Sequence, residues 1–162
     1  MTINNRDISK KREKEISKQI NGRAHAASGG IWYRKGDASN ENFLIEDKFT
    51  NENFYKLNII ILNKIEKEAQ KVNKIPILRF GFHQSKRNYA VIRDIYYNKI
   101  CETYPVSINK KGNNIKFDEN ELINLISTNI LLVRIIFSSY NKSFLIFKWD
   151  TFLEFSKDFL CK

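Results

Sequence analysis

Residues 43–50 read FLIEDKFT. Phe43, Leu44 and Ile45 begin as a strand begins, and the run then turns charged at Glu46, Asp47 and Lys48. Side chains two apart on a strand leave by the same face. Leu44, Glu46 and Lys48 therefore share one face, and Phe43, Ile45 and Asp47 the other. Glu46 and Lys48 can point into one site. Upstream, Ile31-Trp32-Tyr33 predicts a short strand, and the turn at Gly36 lets Asp37 swing in beside Glu46 and Lys48.

The pattern extends in both directions. Residues 8 or 9 to 20 predict a short basic helix, with Ser9 as its cap and Asn21-Gly22 as its end. Ile16 and Ile20 lie on one helical face, and Glu13, three before Ile16, belongs to that stripe. Glu15 points elsewhere, and which of the two acids reaches the site stays open. Residues 51–72 predict one long amphipathic helix, with Leu57, Ile60 or Ile61, Ile65 and Ala69 at helical spacing. A strand at 77–82, a polar turn and a strand at 89–97 complete a hairpin. The order α-β-β-α-β-β predicts an α/β fold with a mixed sheet over about 8–97, inside a single domain of residues 1–162.

Residues 98–162 form a C-terminal extension. Residues 98–117 are polar, with a turn at 110–114. Asp118 opens a helix, where Asp118 and Glu121 make a capping box. Residues 131–138 and 144–149 predict a hairpin, and residues 150–160 a last helix. This region could extend the sheet, form a dimer contact or set specificity. The two hairpins align without gaps, LRFGFHQSKRNYAVIRD (78–94) on VRIIFSSYNKSFLIFKW (133–149), which sets Arg79 against Arg134. Alternation of this kind is common among basic hairpins, so no function is built on it.

The chain has 162 residues, enough to bury a core without disulfides. Lys plus Arg number 28 against 18 Asp plus Glu, a formal charge of +10. With 42% hydrophobic and 13% aromatic residues it is no disordered basic tail. A folded domain so charged attracts polyanions, nucleic acid first. Cys101, Cys161, His25 and His83 are scattered, which argues against a disulfide framework or a zinc site. The polar first residues lack a signal core, and the longest apolar run, 130–137, is interrupted by Arg134. The expectation is a soluble cytoplasmic protein with no membrane span.

Two neighbouring carboxylates repel unless a cation holds them. Mg²⁺ suits Asp37 and Glu46, because it takes oxygen ligands and keeps waters. Lys48 adds a point charge for a developing phosphorane-like transition state. Asp37 with Glu46-x-Lys48 is thus a minimal set for metal-dependent phosphodiester hydrolysis, Mn²⁺ serving as a substitute. Lys10, Lys11, Arg12, Arg23 and Lys35 flank it as candidate phosphate contacts. Trp32 and Tyr33 are candidates for stacking on a base or for core packing. No helix carries a base-reading motif, so recognition of DNA shape is the better expectation.

Across residues 13–82, the texts KREKEIS, GGIWYRKGDAS, FLIEDKFT and LNKIEKEAQKVNKIPILRFGF resemble the PD-(D/E)xK nuclease superfamily. More narrowly they are similar to phage and archaeal-type Holliday junction resolvases. The resemblance implies a restriction-endonuclease-like core with a C-terminal β-hairpin and helix extension. It implies an active site of Glu13, Asp37, Glu46 and Lys48, with Mg²⁺ on Asp37 and Glu46. It sets Ser28, in the Ser-Gly-Gly turn, near DNA phosphate, and Lys64 on the helix that flanks the site. It also implies a homodimer acting on a four-way junction, encoded by a phage and working in the infected host cell. Two departures stand out. Gly36 replaces the usual Pro, which is expected only to relax the turn. Asp47 fills the middle of E-x-K, normally apolar, which predicts a more exposed strand. The alternatives are another nuclease of the superfamily (restriction-like, nicking or repair), a non-catalytic basic DNA-binding protein, or a viral interaction factor.

Overall fold

The computed structural model describes residues 5–25, 36–83, 85–96, 106–112, 115–126 and 132–160. Helix α1 (Asn5–Gln19) leads into the short strands β1 (Arg23–Ala24) and β2 (Ala38–Ser39). Strand β3 (Phe43–Thr50) and strand β4 (Phe54–Leu57) precede helix α2 (Ile59–Lys71). Strands β5 (Ile75–Phe82) and β6 (Asn88–Arg93) form the first long hairpin. Strands β7 (Val106–Lys111) and β8 (Ile115–Asp118), helix α3 (Glu119–Leu125), strands β9 (Leu132–Phe137) and β10 (Lys142–Lys148) and helix α4 (Trp149–Leu160) follow.

Eight strands make one mixed sheet in the order β1-β2-β3-β5-β6-β10-β9-β7. Strands β3 and β5 are parallel, joined by the crossover through α2, and β7 is parallel to β9. The other pairings are antiparallel. The fold is therefore α/β, and its start runs α-β-β-β-β-α-β-β, with the short β1 and β2 and the ribbon strand β4 where the sequence predicts two strands between the helices. The C-terminal extension continues the sheet, since β10 pairs along β6.

Each sheet face has its own core. On one face Leu78, Phe80 and Val91 pack with Leu62 and Ile65 of α2, and with Tyr55, Leu57, Ile115 and Phe117 of a separate two-stranded ribbon, β4–β8. On the other, Phe43, Ile45, Ile77 and Ala90 pack with Ile16 of α1, with Ile20 just after it, and with Trp149, Phe152 and Phe155 of α4. Phe43 meets Phe152 edge to face at 5.2 Å, a geometry aromatic quadrupoles favour.

Two expectations are corrected. The single helix over 51–72 is a strand, a cap and a shorter helix. Tyr55 and Leu57 are buried and Lys56 exposed, a period of two. Asn58 then stays extended and accepts a hydrogen bond from the Ile60 amide at 2.8 Å, starting the helix there. The polar stretch 98–117 also carries strands, β7 and the start of β8. The Asp118 helix start is as expected, its carboxylate accepting from the Asn120 amide. The strand expected at 31–33 lies outside the described residues. Among the described residues, no helix is long and apolar enough to cross a membrane.

Candidate active site

Strand β2 pairs with β3 only at Leu44 and Ile45. One residue further back, the Asp37 amide donates to the Ile45 carbonyl, and the Asp37 carboxylate accepts from the Asp47 amide at 2.7 Å. Asp37 thus takes the place of the next strand residue and lies at the edge of β3. Gly36 makes this turn with φ +74°, and a Cβ there would stand 2.9 Å from the Ile45 oxygen. Proline is locked near −65°. Gly36 therefore does more than relax the turn: it supplies a conformation that proline lacks.

Glu46 leaves β3 on the ribbon face and is buried. Lys48, on the same face, donates to Glu46 Oε1 at 2.7 Å. Burial pushes the Asp37 carboxyl up to about 6, and the charge of Glu46 adds to that; the Asp47 amide and Lys48 oppose it. Burial works to lower the Lys48 ammonium, but the bond and charge of Glu46 and the charges of Asp37 and Asp47 raise it overall. Lys48 is therefore firmly charged. Burial, with Asp47 and Glu46, also pushes the Tyr55 hydroxyl up, which places Tyr55 beside this acid cluster.

Asp47 leaves by the opposite face, and here the sequence expectation fails. Its side chain is 4% exposed. Arg12 of α1 binds it with two bonds, Nε at 2.6 Å and NH2 at 2.8 Å, and Arg79 of β5 donates to it at 3.0 Å. Two guanidinium partners compensate the buried acid, so the strand has no need of exposure. Arg79 is itself buried, lies over Trp149 at 5.1 Å, and reaches Glu15 at 3.6 Å. Arg12 also donates to Asn88 Oδ1 at 2.9 Å, across Gly81. A Cβ at Gly81 would sit 2.3 Å from that oxygen and 3.1 Å from Arg12 NH2.

This clamp fixes α1 against β3. Glu13, next to Arg12, is raised by partial burial and then by Asp47, while Lys10 and Lys48 oppose the rise. Glu13 therefore borders the cluster, and Glu15 is turned to Arg79. The expected phosphate contact Arg12 is committed to Asp47 and Asn88 instead of an open basic face. Arg23 is exposed on β1 opposite Ser39. Beside it the Ser39 hydroxyl meets His25 at 2.8 Å and Lys74 at 3.3 Å. These residues line a polar cleft near the β1–β2 hairpin. Lys64 lies on the outer side of α2 with Asn63, Lys67 and Lys71. Ser28, Trp32, Tyr33 and Lys35 lie outside the described residues.

Sequence reasoning missed Arg79, Tyr55 and the pairing of Asp47. An arginine inside an otherwise apolar strand, IPILRFGF, was the available signal for Arg79, because a buried cation needs an acid partner. Among the described residues no three His, Cys, Asp or Glu side chains form a ready metal cage. Mg²⁺ needs only one or two carboxylates plus waters. Asp37 and Glu46, partly dehydrated and mutually repelling, fit that demand.

No family model and no curated protein matches the chain. A solved structure of Hjc, a Holliday junction resolvase from the archaeal hyperthermophile Archaeoglobus fulgidus, is similar over 68% of this chain and 86% of that one. The two share 15% identity with a TM-score of 0.44. A likeness that slight carries no functional conclusion.

Proposed function

We propose that this chain is a Mg²⁺-dependent DNA endonuclease that hydrolyses a phosphodiester in branched DNA, as a Holliday junction resolvase does. One observation carries the reading: at an open strand edge Asp37 and Glu46 repel each other, with Lys48 bonded to Glu46. The net charge of +10 supplies the attraction for phosphate. Asp37 and Glu46 would hold the metal and Glu13 would border its waters. Bound there, Mg²⁺ (or Mn²⁺) polarises a phosphoryl oxygen and acidifies a water.

The remaining work falls to the chain. Lys48, whose ammonium is stabilised, keeps its proton and offsets charge growing on the phosphoryl oxygens. Arg23 and Lys74, which line the polar cleft, would hold backbone phosphate. Ser28, Lys35 and Lys64 would add further phosphate contacts by resemblance. Two symmetric cuts need two centres, which a resolvase obtains by pairing chains about a two-fold.

The test is cleavage of a four-way junction against linear duplex with Mg²⁺. The junction should be cut, and Asp37→Asn should bind it without cutting. Equal cutting of linear DNA would remove the resolvase label. No cutting with Mg²⁺ or Mn²⁺ would leave a basic DNA-binding protein.

A further inference from the structure

The gap-free alignment of the two hairpins acquires a geometric meaning in the sheet. In β5–β6, Leu78, Arg79, Phe80 and Gly81 oppose Val91, Ala90, Tyr89 and Asn88. In β9–β10, Val133, Arg134, Ile135 and Ile136 oppose Ile146, Leu145, Phe144 and Ser143. Every residue has advanced by the same offset. The turns agree as well, since left-handed Lys86 (φ 59°) corresponds to left-handed Asn141 (φ 47°).

The seam between the hairpins obeys the same rule. Ile92 faces Leu145 and Ala90 faces Phe147, two pairs that exchange under the offset, while Val91 faces its own counterpart, Ile146. A pseudo-two-fold axis therefore passes through the Val91–Ile146 pair. The ribbon shows the same axis, because Lys56 faces Lys116 between Tyr55–Phe117 and Leu57–Ile115. The helix caps match, with Asn58 before α2 and Asp118 before α3. The buried positions match in kind: Leu62 with Leu122, Leu57 with Phe117, Phe82 with Phe137. Strand alternation produces none of this, because it does not set a common register across three strand pairings and a separate ribbon.

The units β3-β4-α2-β5-β6 and β7-β8-α3-β9-β10 are thus two copies of one motif, side by side in one sheet. Asn109, Lys110 and Lys111 oppose Arg134, Ile135 and Ile136, as Asp47, Lys48 and Phe49 oppose Arg79, Phe80 and Gly81. Glu46 precedes Asp47, and Ile108 precedes Asn109. The register matches Asp47-Lys48 to Asn109-Lys110, and the irregularity between Val106 and Asn109 holds Ser107 and Ile108 where the first copy has Glu46. Both carboxylates are gone and the lysine is kept.

We infer that the second half is a silent image of the first, so that one chain offers DNA a two-fold-related pair of surfaces and cuts one strand per binding event. This rests on the nuclease reading of the Asp37–Glu46 site and puts a single chain with one cutting centre in place of a resolvase's paired chains. The step is balanced by water alone: its oxygen bonds to phosphorus, the bond to the leaving sugar oxygen breaks, and the water's proton ends on that oxygen. Strands β3 and β7 lie five strand spacings apart, about 24 Å. The axis runs through the sheet, so α2, α3 and the ribbon all lie on one face. The substrate implied is DNA with two backbone segments on that face, one of them held uncut.

The experiment uses the full chain with Mg²⁺, on a supercoiled plasmid whose inverted repeat extrudes a four-way junction and on a synthetic four-way junction labelled on each strand in turn. Nicked circles should accumulate before any linear product, with a rate first order in protein. Mixing in a fivefold excess of the Asp37→Asn chain, with DNA saturating, should leave the rate of the wild-type chain unchanged. A homodimer that cuts only when both of its sites are intact would instead lose about sixfold by random pairing. Paired cuts, second-order kinetics or that sixfold loss would overturn the inference and leave the nuclease reading standing. No cleavage of any DNA with Mg²⁺ or Mn²⁺ would overturn both.

Discussion

The two halves of the sheet have the same backbone plan and opposite chemistry. In β3–β6 the strand that opens the motif carries Glu46, Asp47 and Lys48, and three buried or partly buried ion pairs surround it. At the same register in the second half stand Asn109 and Lys110, with Ile136 where Gly81 was. In the first half Gly81 gives the space through which Arg12 reaches Asp47 and Asn88. A β-branched residue fills that position in the second. Helix α2, of 13 residues, holds Glu66 against Arg93 and Lys142, whereas α3 has 7 residues and is followed by buried Ile126. One plan thus serves a charged, clamped site in the first half and, in the second, matched positions that carry no carboxylate; side chains rather than topology decide which.

The sharpest way to break the comparison is to remove the metal-binding acids. Asp37→Asn or Glu46→Gln should lower the cleavage rate by about a thousandfold or more, while DNA affinity stays within a few-fold. Asn109→Ala in the second half should leave cleavage within about twofold. Comparable losses from both would mean that the second half is not silent. Next comes Asp47→Asn, which gives the first half the second half's residue. It leaves Arg79 buried beside a neutral partner, so chemical denaturation should show a loss of about 3 kcal/mol. Asn109→Asp should cause no such loss.

A smaller effect is expected from Gly81→Ile, again a second-half residue in the first half. It pushes Arg12 off Asn88, loosens α1 and displaces Glu13, so cleavage should fall about tenfold with folding retained. The pH response should also separate the halves. Burial raises Asp37 from its ordinary value to about 6. An acid raised by folding contributes stability that is full below its unfolded pKa and lost as pH rises through the folded one. Without metal, Asp37→Asn should therefore stabilise the chain at pH 8, by about 1 kcal/mol after allowance for solvent screening, and give no gain at pH 3. A melting series in chelator checks this. Smallest is the on-axis pair. Lys56→Ala with Lys116→Ala should flatten the salt dependence of DNA binding by about two charges without altering the chemical step.

Much of the first half was legible in the sequence, because strand alternation put Glu46 and Lys48 on one face and the Gly36 turn returned Asp37 to them. The errors there came from long-range pairing. Asp47 looks costly when read locally, and only the fold brings Arg12 and Arg79 to it. The helix expected over 51–72 was overridden because Tyr55 and Leu57 have a strand partner, β8, more than fifty residues away. The second half was legible only as a hairpin and a helix. Its likeness to the first is carried by register, cap positions and left-handed turn residues, while the side chains differ, Asn109 for Asp47 and Ile136 for Gly81. Pairwise text keeps little of such a likeness.

The seam through Val91 and Ile146 also bears on how the chain is made. During synthesis β6 is finished some fifty residues before its partner β10 (Lys142–Lys148) leaves the ribosome. Until then Tyr89, Ala90, Val91 and Ile92 form an open apolar edge. Because the seam is two-fold, the β6 edge is complementary to another β6 edge, with Val91 opposite Val91. Two nascent chains can therefore pair β6 on β6 where β10 has yet to arrive. Slow translation between residues 94 and 142 should favour such swapped pairs, and fast arrival of β10 should suppress them.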